Sequence, residues 1–535
     1  MFIISKNPKV YKAIDSYLHG LTKITKKNTI FNIKLSNGFS LFWTSIKPSD
    51  NLNIFNDGII IGKVSFEEKR ELTPNYHQSE LPKTFSSLLQ SCIIKFDSKE
   101  INIRPNEQFN IYYSKNSISD HQLLIGKDEM LTPDFFNVTV LGTVGYFPGD
   151  LTIFKEVKKI SYLHSLDFFN QKEIREEKFT LEKNDDVKLL ERFKEITPKN
   201  VKTGLSLSSG LDSRFVLGIL LSQNIRPTIY SRSDGEDEIV KELSEKLDLD
   251  YYITRGDTMD EYSYTLSTDA RIYYRGGNYS QLKDVYKSDE ILHNGLWSGS
   301  TIENSFKSAW KKPGKMSTIF EDLIRHGLLS STRSDVFGVK EEVNREDLMT
   351  YLKKELDYQK KYCDFPTRKM WSSWFYHMNK GLGKINSGMA DASFYIYPVY
   401  LLGDKKAMEL AIASSGYANF YKERLRKINQ KLFTKDLQIG YSGDRSFHSK
   451  SPLVIDAYKL YYEYGYKLVR KFTERRKFLK GYDDEILSNI GYDEHRDLSK
   501  YFIDDLESNI NNPQIAYALK RVMVTLNNVL KFLDN

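Results

Sequence analysis

Up to residue 184 the chain alternates short apolar segments with polar punctuation. Ile30 to Leu35, Ile59 to Val64, Cys92 to Phe96, Phe109 to Tyr113 and Asn137 to Val144 are separated by clusters of Asn, Asp, Ser and Pro. Short apolar runs bounded in this way predict strands joined by turns. From Asp185 the pattern changes. Leu205 to Leu207 leads into a helical segment over 214–223, and Thr228 to Tyr230 leads into another over Glu238 to Leu247. Tyr251 to Thr254 and Ile291 to Leu296 read as further strands. Strands alternating with helices predict an α/β unit with a doubly wound parallel sheet, whose ligands bind beyond the carboxyl ends of the strands. From Ser317 onward the pattern is mainly helical. The organisation expected is a β-rich unit over 1–184, an α/β unit over 185–450 and a helical extension over 451–535.

Composition narrows the class. A chain of 535 residues is too long for one ordinary domain, and 40% hydrophobic with 28% charged residues is a soluble globular balance. Apolar runs such as Phe215 to Leu221 fall short of the roughly 20 residues of a membrane span, and the first residues lack the pattern of a signal peptide. Cys92 and Cys363 are too far apart in sequence to suggest a disulfide framework, so a cytoplasmic setting is expected. The nine histidines show no metal-ligand spacing. The net charge of +7 is concentrated in Tyr421 to Lys435 and Lys467 to Lys480. Solvated helix faces explain those stretches better than a nucleic-acid surface, and no membrane partner is expected.

Chemistry is offered first by Leu205-Ser206-Leu207-Ser208-Ser209-Gly210-Leu211-Asp212-Ser213-Arg214. An apolar strand runs into a tight polar turn and then a helix. Helix-start amides and the positive end of the dipole hold an anion well. Gly210 allows close approach of the backbone, the serines add donors, and Asp212 is a candidate ligand for a divalent cation.

This turn resembles the PP-loop, Ser-x-Gly-x-Asp-Ser, of the ATP pyrophosphatases. With three further segments it makes the chain similar to the asparagine-synthetase superfamily, which includes β-lactam synthetases and lasso-peptide cyclases. Gly145 to Ile160 is similar to the closing segment of that family's first domain, and Arg104 to Tyr113 is loosely similar to an earlier segment without its Asp and Gly. Lys422-Glu-Arg-Leu425-Arg426 resembles the late Lys-x-x-Leu-Arg, preceded by a similar region at Tyr397-Pro398 to Asp404. The resemblance implies a degenerate glutaminase-like (Ntn-type) β-sandwich followed by a PP-loop synthetase domain.

Two departures matter. The family's glutaminases use an N-terminal cysteine as nucleophile. Here the second residue is Phe2 and no cysteine precedes Cys92, so glutamine is not the expected amine source. The family's second loop, Ser-Gly-Glu-Gly-x-Asp-Glu, corresponds to Asn294-Gly295 through Glu303-Asn304. One register, on Ser298-Gly299, puts Glu303 at the metal-binding acid; the other, on Asn294-Gly295, puts Ser300 there and leaves no acid.

The resemblance therefore implies an ATP-dependent, Mg²⁺-requiring ligase that adenylates a carboxylate, releases AMP and pyrophosphate, and joins the acyl group to an amine of a small molecule or peptide. Leu207, Ser208, Ser209, Gly210, Leu211, Asp212 and Ser213 would bind the nucleotide with Tyr230, Ser231, Ser298 and Gly299. Asp212 and Glu303 would hold the metal. Lys422 would face the leaving pyrophosphate, and Arg368 would bind a substrate carboxylate. Two alternatives remain open: a non-catalytic binding or assembly protein on the same scaffold, and a PP-loop enzyme that modifies nucleotides or RNA. The acyl and amine substrates have no motif, and a homodimer is left open.

Overall fold

The computed structural model describes residues 2–21, 30–35, 38–44, 52–62, 91–96, 100–105, 109–144, 147–162, 164–175, 179, 181, 186–197, 199, 201–208, 210–232, 237–254, 263–266, 272–275, 291–294, 345–366, 370–371, 374–375, 377–379, 397–413, 432, 526, 529–530 and 532–534. Over these residues the protein is mixed α/β, with several sheets, one of them parallel, and helices.

In chain order the first half forms β1 (Phe2–Ser5), α1 (Val10–Leu21), β2 (Phe31–Lys34), β3 (Ser40–Trp43), β4 (Leu52–Phe55), β5 (Gly58–Gly62), β6 (Ser91–Phe96) and β7 (Ile101–Pro105). It continues through β8 (Tyr112–Tyr113), β9 (Ile118–Ser119), α2 (Gln122–Asp128), α3 (Phe135–Val144), β10 (Lys158–Lys159), β11 (His164–Asp167) and β12 (Lys172–Arg175). The strands build two six-stranded antiparallel sheets, ordered β10-β8-β9-β1-β3-β2 and β12-β11-β7-β6-β5-β4. Their inner faces share one core: Phe2 and Ile4 from β1 and Trp43 from β3 meet Ile59, Ile94, Ile103 and Leu166 from the other sheet. Because alternate residues of a strand point to opposite faces, Ile3 and Phe42 turn outward, where they pack with Ile14 of α1 and Leu124 of α2. A central strand covered on both sides reads as a continuous apolar run, which is the Phe-Ile-Ile of β1.

The second half begins with α4 (Asp186–Ile196), β13 (Thr203–Ser206), α5 (Leu211–Leu221), β14 (Thr228–Arg232), α6 (Asp237–Leu247) and β15 (Tyr251–Thr254). A two-stranded hairpin, β16 (Ser263–Leu266) with β17 (Ile272–Arg275), precedes β18 (Ile291–Asn294), α7 (Arg345–Lys360), β19 (Tyr397–Val399) and α8 (Lys405–Ala413). The parallel sheet has the order β15-β14-β13-β18-β19. Leu205 lies in register with Ile229 on one side and His293 on the other. The chain thus winds outward in one direction through β14 and β15, then resumes on the opposite side of β13 with β18.

Four expectations need correction. Asn137 to Val144 is the body of α3 and not a strand. This segment is apolar on every side because it lies between two cores: Val140 packs with Leu205 and Phe215, while Val138 and Leu141 pack with Ile125 and Phe154. A segment whose apolar residues fall on opposite faces of the helix carries no helical period to separate helix from strand. The overlooked signal is Asp134, whose Oδ1 accepts the Asn137 N–H at 3.0 Å as an N-terminal cap. Of Phe109 to Tyr113, only Tyr112–Tyr113 is strand. The helix expected over 214–223 starts earlier, at Leu211, with Gly210 as its N-cap. The mainly helical region contains the strand β19, which pairs in parallel with β18.

Val140 and Phe179 sit in the same apolar core as the parallel sheet, so burial does not stop at residue 184. Near the end of the chain, Leu526 and Val529 pack with Ile125 and Phe147, and Lys127 Nζ donates to the Leu533 carbonyl at 2.6 Å. Among the described residues no helix is long and apolar enough to cross a membrane.

Candidate functional site

The turn after β13 lies where the winding of the parallel sheet reverses, at the carboxyl end of the central strand. In open α/β sheets that crevice is where ligands bind. The turn is closed by its own serines. Ser208 N–H donates to Ser213 Oγ at 3.1 Å, and the Ser213 hydroxyl in turn reaches the Ser208 carbonyl at 3.2 Å. The two hydroxyl oxygens are 3.1 Å apart. Gly210 N–H is held by Ser208 Oγ at 3.2 Å. Ser213 is buried, Ser208 is exposed, and Asp212 is half-buried on the first turn of α5.

These contacts divide the labour of the motif. Ser213 acts inside the turn and fixes its shape. Ser208 presents an exposed hydroxyl. The N-cap of α5 is Gly210, which has no side chain of its own, and a helix start is where dipole and geometry favour an anion. A Cβ at Gly210 would stand 3.2 Å from Ser208 Oγ, so a larger residue there would press on the hydroxyl that lines the turn. Arg214, 1% exposed, puts a cation one residue beyond it. Backbone amides and a serine hydroxyl at a helix start are groups that could hold a phosphate, and Asp212 is of the residue type that could share a divalent cation with it.

Leu207 N–H donates to the Tyr230 carbonyl at 2.9 Å, so the ladder extends one residue past β13 and takes up that donor. Tyr230 is buried and stacks on Tyr252 with ring centroids 5.8 Å apart; Ser231 follows it, half-buried. The structure therefore brings Leu207, Ser208, Gly210, Asp212, Ser213, Tyr230 and Ser231 to one sheet edge. The backbone of Leu211 opens α5. Ser209, Ser298, Gly299, Ser300, Glu303, Arg368 and Lys422 lie outside the described residues. Among the described residues no group of three or more His, Cys, Asp or Glu could hold a metal ion.

Sequence reasoning missed a second place. A cleft with a cavity volume of about 60 Å³, open to solvent, lies between the 148–164 segment and α7. Tyr351, Glu355, Tyr358 and Gln359 recur at helical spacing, so one face of α7 meets that segment. Tyr351 donates to Asp150 Oδ1 at 2.8 Å. Gln359 Nε2 donates to Glu355 Oε1 at 2.6 Å. His164 Nδ1 lies 2.8 Å from the Tyr162 carbonyl, so it carries the proton and Nε2 accepts from Tyr358 at 3.2 Å. Burial pushes the Glu355 carboxyl above its ordinary value; Asp150 and Glu173 push the same way, against Gln359 and Lys159. The Lys159 side of this cleft was already visible in Gly145 to Ile160. The α7 side lacked any motif.

The start of β1 offers no nucleophile among the described residues. Phe2 is fully buried in the sandwich, its N–H donating to Asp120 at 2.9 Å. Cys92 is also buried, and burial, with Asp120 adding, pushes its thiol well above the ordinary value. Comparison with protein-family models and with curated proteins returned no match.

Proposed function

We propose that this protein is an ATP-dependent amide-forming ligase of asparagine-synthetase type that takes its amine from a source other than glutamine. The supporting observation is the position of the Ser208–Ser213 turn: it caps the central strand of a parallel sheet at the point where the winding reverses, and it opens directly into α5. In this reading the stacked antiparallel sheets are a glutaminase-type sandwich kept as scaffold.

ATP with Mg²⁺ would supply the adenylyl group that activates a carboxylate. The helix-start amides of α5 would hold phosphate oxygens, with Ser208 adding a hydroxyl and Asp212 a carboxylate for the cation. Ser213 holds the turn in shape for this task. Backbone groups near Leu207, Tyr230 and Ser231 would line the base. Glu303, Lys422 and Arg368 keep the roles the resemblance implies: metal acid, cation at the leaving pyrophosphate and clamp on the substrate carboxylate.

A non-catalytic binding role is favoured by one observation: Ser208 and Ser213 already satisfy donors within the turn. Calorimetry with an α,β-methylene ATP analogue, with and without Mg²⁺, on wild type and Asp212→Ala decides whether the turn is a working nucleotide site. Mg²⁺-dependent binding lost in the variant is the expected result. Absence of binding, or binding indifferent to both metal and Asp212, overturns the ligase reading.

A further inference from the structure

The cleft between the 148–164 segment and α7 has a lining that the ligase reading does not use. Its polar wall carries the carboxyls of Asp150 and Glu355 and the Gln359 Oε1 acceptor. The Tyr358 hydroxyl lies 3.2 Å from His164 Nε2 and also has Tyr362 and Ser161 as hydrogen-bond partners. Gln359 is 6% exposed, and its Oε1 is buried without a hydrogen-bond partner among the described residues. The same wall also carries donors: Lys159, whose charge already acts on Glu355, the hydroxyls of Ser161 and Tyr362, the Asn110 amide, and Trp374 Nε1, buried and likewise without a partner there. The remaining wall is aromatic and continuous. Tyr358 and Tyr362 meet edge to face at 5.0 Å, His164 and Tyr362 at 5.7 Å, and Tyr162 and Trp374 at 5.7 Å.

We propose that this cleft binds an organic amine in its ammonium form, with the N–H groups on Asp150, Glu355 and Gln359 and an apolar body against Tyr162, Tyr362 and Trp374. An ammonium brings three donors and no acceptor, which answers the carboxyls of Asp150 and Glu355 and the Gln359 oxygen, unpartnered among the described residues. Aromatic walls attract a cation through their quadrupoles. An anion would instead face Asp150 and Glu355, with Glu173 behind them. Burial raises the Glu355 carboxyl and a bound cation favours its ionised form, so binding is coupled to proton release at a pH where that carboxyl is partly protonated. The site stands on its own geometry and does not depend on nucleotide binding at the Ser208–Ser213 turn.

Calorimetry of phenethylammonium against the full chain tests it, with phenethyl alcohol and phenylacetate as controls and with two buffers of different ionisation enthalpy. The ammonium should bind at least ten times more tightly than either control, with an enthalpy that depends on the buffer. Glu355→Gln and Asp150→Asn, each shown to be folded by circular dichroism, should each weaken it about tenfold, and Asp212→Ala should leave it unchanged. Two results would overturn the proposal: no ammonium binding, or a control that binds as tightly. Binding unaffected by either folded variant would do the same.

Discussion

Arg192 on α4 and Asp404 at the start of α8 form a two-pronged ion pair across 212 positions of sequence, Nε to Oδ1 at 2.9 Å and Nη2 to Oδ2 at 2.7 Å. Both side chains are mostly buried, 27% and 15% exposed. Asp404 Oδ1 also accepts the Ala407 N–H at 2.8 Å and so caps α8. One carboxylate thus fixes where α8 begins and ties it to the helix before the central strand.

Asp404→Ala should cost on the order of 3 kcal/mol, combining a charged hydrogen bond pair with a lost cap. Asp404→Asn keeps an acceptor for Ala407 and should cost about 1 kcal/mol less. Urea midpoints of the two variants give the comparison; equal losses would show that the cap contributes nothing.

The turn after β13 holds a structural serine, Ser213, beside Asp212, the aspartate proposed to bind the metal with ATP. Ser213→Ala removes a buried hydroxyl that serves the Ser208 N–H, and should cost about 1.5 kcal/mol in chemical denaturation. Asp212→Asn gives up a favourable charge at a helix N-terminus and should cost under about 1 kcal/mol. The effects on binding of the ATP analogue should run in the opposite order, with Asp212→Asn the more damaging. A stability-neutral Ser213→Ala would show that its hydroxyl does not hold the turn.

The parallel-sheet half was legible because its strands and helices differ in period. Thr228 to Tyr230, Glu238 to Leu247 and Tyr251 to Thr254 all form the elements expected. The strand-turn-helix order around Ser208–Ser213 was legible too, because turn chemistry is local. What sequence left hidden depended on partners distant along the chain. α3 is apolar all round because cores lie on both its sides, and β19 is strand because the edge of β18 is there to receive it. The cleft was hidden for the same reason: Asp150 and Glu355 are 205 positions apart and acquire meaning only when α7 lies against the 148–164 segment.

Glu355 should make part of the stability fall as pH rises. Its folded value is raised above 4.5 by burial first, then by Asp150 and Glu173, with Gln359 and Lys159 opposing; Tyr351 and Tyr358 flank it on α7. A raised folded value means that the folded state binds the proton more tightly than the unfolded chain. The contribution is complete below 4.5 and is lost as pH climbs through the folded value. Glu355→Gln cannot ionise, so its stability relative to wild type should improve steadily over that climb. Urea denaturation of both proteins across the range checks this. A difference independent of pH would contradict a Glu355 carboxyl that burial raises.

Buried histidines should produce the opposite trend in acid. His293 on β18 is fully buried in register with Leu205 and Val399, and burial takes it from 6.5 to about 3. His121 falls to about 3 by burial, with the N-terminal charge adding, and His377 is lowered well below 6.5 by burial. Each remains neutral in the folded state while the unfolded chain takes up a proton below 6.5. Their stabilising contribution is therefore complete above that value and is lost as pH falls toward the folded values. Each histidine contributes a slope approaching 1.4 kcal/mol per pH unit, on the order of one proton apiece. Because Glu355 acts with the other sign, the slope is best read in Glu355→Gln. In that background, His293→Gln should reduce the proton uptake on unfolding by about one proton. An unchanged slope would mean that His293 is protonated within the folded sheet.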